Sequence, residues 1–69
     1  MEFMVGDILE LDKNILFYDK GLTAQVVEIE NGNYGWVRIL NSKKEYLIGQ
    51  TKHANLTLFN LVRRGELHV

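Results

Sequence analysis

Residues 22–40 read LTAQVVEIENGNYGWVRIL, and the alternation within this stretch decides the fold class. Two runs rich in β-branched and aromatic residues flank Asn31-Gly32-Asn33. Asn-Gly between such runs signals a hairpin, because both residues tolerate the positive φ of a tight turn matched to strand twist. In the second run Val37 and Ile39 fall on one face, and Tyr34, Trp36 and Arg38 on the other. With the aliphatic pair turned to a core, two aromatic rings and a guanidinium share the outer face as a contact surface. In the first run the apolar positions are 22, 24 and 26, then 27 and 29. That change of phase at Val26-Val27 predicts a bulge or sharp bend that exchanges the strand's inner and outer faces.

Working outward, residues 4–11 predict a first strand with Leu9 and Leu11 on one face, entered through Gly6-Asp7. Residues 14–18 form a short apolar segment that stops at Asp19-Lys20-Gly21, a turn in which Gly21 supplies a positive φ. After the strand at 34–40, Asn41-Ser42-Lys43-Lys44 is a polar turn, and residues 45–48 predict another short strand ended by Gly49. Residues 50–55 read as a loop or a single helical turn. Residues 56–62, LTLFNLV, support two readings. As a strand, Leu56, Leu58 and Val62 alternate with Thr57 and Phe59; as a helix, Ala54, Leu58, Leu61 and Val62 share a face and Gly65 is the stop. The strand is preferred because the earlier strands need a partner to complete a sheet. The expectation is one all-β domain over 1–69 with five short antiparallel strands.

Composition narrows the function classes. A chain of 69 residues buries only ~60% of its unfolded surface, so few large side chains are spare. There is no cysteine, which excludes disulfides and thiolate metal sites and fits a reducing cytosol. No apolar run approaches the roughly 18 residues of a membrane span, and the acidic start MEFMVGDILELD has no basic region ahead of an apolar stretch. A cytoplasmic protein without membrane contact is expected. The net charge of −1 hides an asymmetry: residues 1–33 hold seven carboxylates against two lysines, and residues 34–69 hold six basic side chains against two carboxylates. Such a split can steer a charged partner or a second copy of the chain.

The spacing of Gly6-Asp7-Ile8, residues 21–27, the Asn31-Gly32 hairpin and Trp36-Val37-Arg38-Ile39 is similar to motifs of the SH3-like small-barrel superfamily. The resemblance spans most of the chain and implies a five-stranded antiparallel barrel with a long first loop at residues 12–21. It also implies that binding uses the surface beside that loop and the middle hairpin, which here implicates Tyr18, Tyr34 and Trp36. The superfamily hosts many functions, so the resemblance bears on fold more than on activity.

Catalytic constellations are scarce. The one serine, Ser42, lies in a polar turn, and of the two histidines His53 is in a predicted loop and His68 is next to the C-terminus. A triad or closed metal site needs groups that converge in a sheltered pocket. Asp7, Glu10 and Asp12 are close in sequence, but alternation separates Asp7 from the other two, and all three are expected as solvent-facing strand carboxylates. Neither enzyme activity nor a metal or cofactor is expected. What remains is a non-catalytic module that binds and inhibits or redirects a protein partner through Tyr34, Trp36, Arg38 and Tyr18, since tryptophan and arginine dominate interface hot spots. Short proteins acting by occupancy in this way are associated with viral or mobile-element regulators of host machinery. Two alternatives stand beside it. The basic second half, with a secondary patch of Lys43, Lys44, Arg63 and Arg64 and with Tyr46 nearby, would suit a nucleic acid. A homo-oligomer would suit small-molecule sequestration in a joint pocket built from Trp36, Arg38 and Arg63.

Overall fold

A computed structural model describes residues 2–65 and shows an all-β protein: one five-stranded antiparallel sheet in the order β4-β3-β2-β1-β5. The strands are β1 (Ile8–Glu10), β2 (Thr23–Ile29), β3 (Tyr34–Asn41), β4 (Thr51–Asn55) and β5 (Asn60–Arg63), with 3-10 turns at Glu45–Leu47 and Leu56–Leu58. The first four form a meander, and β5 returns to pair with β1.

The pleat sorts residues as the central stretch predicts. Val37 and Ile39 of β3 and Ala24 and Val26 of β2 are buried, together with Leu9, Leu11, Leu22, Leu47 and Leu56. The register of β2 on β3 shifts between Val26 and Glu28, so Val27 is the extra residue of a bulge. Val26 therefore opposes Val37 on the inner face while Glu28 opposes Trp36 on the outer one. Gly35 sits directly below this bulge: a Cβ there would lie 2.4 Å from the Glu28 carbonyl oxygen.

Several local expectations are corrected. The first strand extends over Ile8–Glu10 and not over 4–11, because Met4 to Asp7 make a turn in which the Asp7 amide donates to the Met4 carbonyl at 3.1 Å. The middle hairpin has no two-residue turn. Its loop is four residues long and neither Asn31 nor Gly32 has positive φ. Instead Asn31 Oδ1 accepts from the amides of Asn33 at 2.9 Å and Tyr34 at 3.1 Å, a side-chain substitute for a backbone turn. Residues 45–48 are not a strand: Glu45–Leu47 coil into a 3-10 turn that drops Leu47 into the core and leaves Tyr46 and Ile48 exposed. Residues 50–55 are not a helical turn but mainly strand β4. Within residues 54–64 neither a long strand nor a helix forms; Leu56–Leu58 make the second 3-10 turn, burying Leu56, before β5 begins at Asn60.

Asp7 is the largest correction. It is fully buried and not solvent-facing, since it shares the inner face with Leu9 and Leu11. Its Oδ1 accepts from the Gly65 amide at 2.6 Å, and its Oδ2 from the Met4 amide at 2.9 Å and from Arg64 Nη1 at 3.1 Å.

Candidate functional site

The outer face of β3 and β4 carries three rings in contact. Alternation on β3 turns Tyr34, Trp36 and Arg38 outward, and the β3–β4 register places Asn55, His53 and Thr51 opposite them in turn. His53 stands between the two aromatics. Its ring stacks on Tyr34 with centroids 5.9 Å apart and planes 6° apart, and meets Trp36 edge-on at 5.1 Å and 62°. Nε2 of His53 lies 3.3 Å from Oε2 of Glu30. Tyr34 and Trp36 keep 40% and 38% of their surface exposed, so the rings pack on one another and still present faces to solvent.

Charge is arranged around these rings. Glu28 is the β2 partner of Trp36, Glu30 lies beside His53, and Arg38 occupies the next row between Gln25 of β2 and Thr51 of β4. Among the described residues Arg64 forms an ion pair with Asp7, and Glu30 lies within polar contact of His53. Glu28 and Arg38 are engaged by neither.

The other sequence-predicted residues are dispersed. Tyr18 is half-buried on the opposite side of the sheet, where it lines a groove with Leu22, Ile39, Lys52 and Phe59. It therefore does not join Tyr34 and Trp36 on one face. The basic set is not one patch either. Lys43 and Lys44 follow the end of β3, while Arg63 and Arg64 follow the course of β5 to the opposite end of the sheet. Arg64 is turned inward to Asp7 and to the Glu2 carbonyl. Lys44 Nζ donates to the carbonyl of Phe17. Arg63 opposes Ile8, in the same cross-strand row as Gln25 and Arg38 but three strands from Arg38. His68 lies outside the described residues. Asp7, Glu10 and Asp12 do not converge: Asp7 is inside, Glu10 is exposed, and Asp12 accepts from Asn60 Nδ2 at 2.9 Å. Among the described residues no three His, Asp or Glu side chains gather in a metal-holding group.

A second exposed apolar feature is absent from the sequence reading. The long first loop doubles back through Ile15 and Tyr18, whose backbones exchange hydrogen bonds of 2.9 and 2.8 Å, leaving Leu16 and Phe17 at the tip. Leu16 has φ 49° and 91% exposure, and Phe17 is 73% exposed. Positive φ at the first position of a two-residue turn is a place for glycine, so a leucine there is strained. Leu16 also lines, with Tyr18, Leu58 and Phe59, an apolar groove open to solvent between this loop and the second 3-10 turn. The tip was illegible because no Gly, Asn or Asp marks it.

Compared with known proteins, the chain matches no family model, no curated protein and no solved structure.

Proposed function

We propose that this protein is a non-catalytic interaction module that binds another protein through the outer face of β3 and β4 and modulates that partner by occupancy. The observation that carries the reading is the Tyr34–His53–Trp36 ring cluster, packed ring on ring and still partly open to solvent. Rigid aromatic side chains bring large contact area at low entropic cost, and Trp, Tyr and Arg concentrate at the centres of interfaces. The Leu16–Phe17 tip supports the same class of function, since strain and apolar exposure at a loop tip cost stability and suit a contact. The SH3-like small-barrel reading is retained within this proposal, supported by the meander whose last strand returns beside the first. The carboxylates of Glu28 and Glu30 beside the rings count against a phosphate backbone as the ligand.

The test uses the full chain as bait in lysate of its native host, with Trp36→Ala alongside. Loss of the captured protein at unchanged far-ultraviolet circular dichroism is expected, at a cost of about 2 kcal/mol or more in affinity. Capture that survives high salt supports a protein partner, whereas collapse with a steep log-log slope assigns the face to nucleic acid. Undiminished capture by a folded Trp36→Ala variant overturns the reading.

A further inference from the structure

From the placement of charge around the rings, we infer that the outer face recognises a cationic side chain of its partner, an arginine in the first place, seated on Tyr34 and Trp36 between Glu28 and Glu30. The inference rests on the reading of this face as the partner site and names the chemistry that it takes.

Four observations converge on it. The rings of Tyr34 and Trp36 project from alternate positions of one strand with His53 packed against both, so the three form one aromatic cluster in which Tyr34 and Trp36 each keep part of their surface open to solvent. A cation over such a face is attracted by the ring quadrupole, most strongly by that of tryptophan. Glu28, in register with Trp36 on β2, flanks that surface on one side, and Glu30, beside His53, flanks it at the Tyr34 end. The Glu30 side chain is 53% exposed, leaving its carboxylate accessible beyond the His53 contact. An anion meeting this surface encounters two carboxylates and the negative faces of the rings; a cation finds both in its favour.

Arg38 sets the direction. It is the remaining charged group on these outward rows of β3, one row beyond Trp36 and away from Tyr34. Its charge repels a cation from that side and confines the favourable position to the Tyr34, Glu30 and Glu28 side. Arginine fits better than lysine for two reasons. Its planar guanidinium stacks on a ring face while its edge donates two parallel hydrogen bonds to a carboxylate, and it gives up its hydration more readily than an ammonium.

The chain contains a single tryptophan, so its indole emission reports this surface alone. The probes are end-blocked tri-arginine, tri-lysine and tri-glutamate peptides at low-millimolar concentration, with the intact protein. Tri-arginine is expected to change the emission saturably, tri-lysine to do so more weakly, and tri-glutamate to leave it unaltered. Glu28→Gln and Glu30→Gln are each expected to weaken tri-arginine binding about two- to fivefold, the range of an exposed cation–π and carboxylate contact. Glu45→Gln removes the same charge from the loop after β3 and is expected to leave the affinity unchanged. Equal weakening by all three variants would reduce the effect to net charge and overturn the inference, as would an absent tri-arginine response or a stronger one to tri-glutamate. If tri-arginine fails while Trp36→Ala still abolishes partner capture, the cationic assignment alone falls. If Trp36→Ala leaves capture intact, the face itself is the wrong surface.

Discussion

Asp7 receives three hydrogen bonds, from the amides of Met4 and Gly65 and from the Arg64 guanidinium, and through them fastens the segment after β5 to the turn before β1. Gly65 is required for that approach, since a Cβ on it would lie 2.5 Å from the Gly6 carbonyl carbon. All three partners are donors, so Asp7→Asn turns an amide nitrogen either against the Gly65 amide or against the Met4 amide and Arg64 together, and leaves at least one donor unpaired. The expected loss is about 2 to 4 kcal/mol, read as a lower denaturant midpoint. Arg64 is 43% exposed, so its share of the contact is screened by solvent. Arg64→Ala is therefore expected to cost about 1 kcal/mol or less. Equal losses in the two variants would show that the ion pair, and not the pair of backbone amides, holds the clip. Asp7 also illustrates how a residue's role hides in sequence. Alternation correctly placed it opposite Glu10 and Asp12, but a carboxylate on the face of Leu9 and Leu11 reads as solvent-facing unless its donors are known, and two of the three lie at positions 64 and 65. His53 was hidden for a related reason. Its place between Tyr34 and Trp36 comes from the β3–β4 register, and the register depends on where β4 begins.

At the scale of elements, the first loop and β4 show what local pattern can and cannot carry. β2, β3 and the bulge at Val27 were legible because hydrophobic alternation on both strands is strong and interrupted in one place. β4, TKHAN, has no such alternation: its inward positions are Lys52 and Ala54, half-buried beneath the first loop. The loop covers that inner face with Tyr18 and Phe59 covers it from beyond the second 3-10 turn, so large apolar side chains on the strand itself are unnecessary. Leu47, which made 45–48 resemble a strand, supplies one core contact from a 3-10 turn instead. The loop tip offers a direct test of strain. Leu16→Gly removes the steric conflict at φ 49° and only exposed apolar surface. A left-handed backbone costs an L-residue roughly 1–2 kcal/mol, and the added freedom of glycine in the unfolded chain returns about half of that. The variant is expected to be as stable as the parent or up to about 1 kcal/mol more so, with an unchanged denaturant m-value. A clear destabilisation would mean that the Leu16 side chain contributes to packing along the groove it lines with Leu58. Gly35→Ala tests the bulge in the opposite sense. Its Cβ meets backbone and not a side-chain end, so the strands must part, and a loss of about 3 kcal/mol or more is expected in the same measurement.

At the scale of the molecule, the open sheet leaves two edges among the described residues, β4 and β5, and each bears on self-association. Unpaired edges invite pairing with a second copy unless they are short, charged or bent. Here all three conditions hold in part. β4 has five residues and carries Lys52 and His53; β5 has four, carries Arg63, and is irregular where it meets β1 between Ile8 and Leu9. The strand expected over residues 56–62 is cut to half by the second 3-10 turn, leaving Val62, 58% exposed, as its exposed large apolar residue. A four-residue antiparallel contact of this kind contributes a few cross-strand pairs at roughly 0.2–1 kcal/mol each, far below what a tight dimer needs. Association is therefore expected to be weak, with monomer dominant at low micromolar concentration and a rising mass at high concentration in sedimentation equilibrium. Val62→Lys should hold the protein monomeric throughout, because a lysine at each copy's edge sets like charges across the contact, and its exposure makes the change neutral for the fold. If Val62→Lys still associates, the contact lies elsewhere. Trp36→Ala and Leu16→Gly then separate the aromatic face from the loop tip, because each removes one exposed apolar feature while leaving the edge of β5 intact.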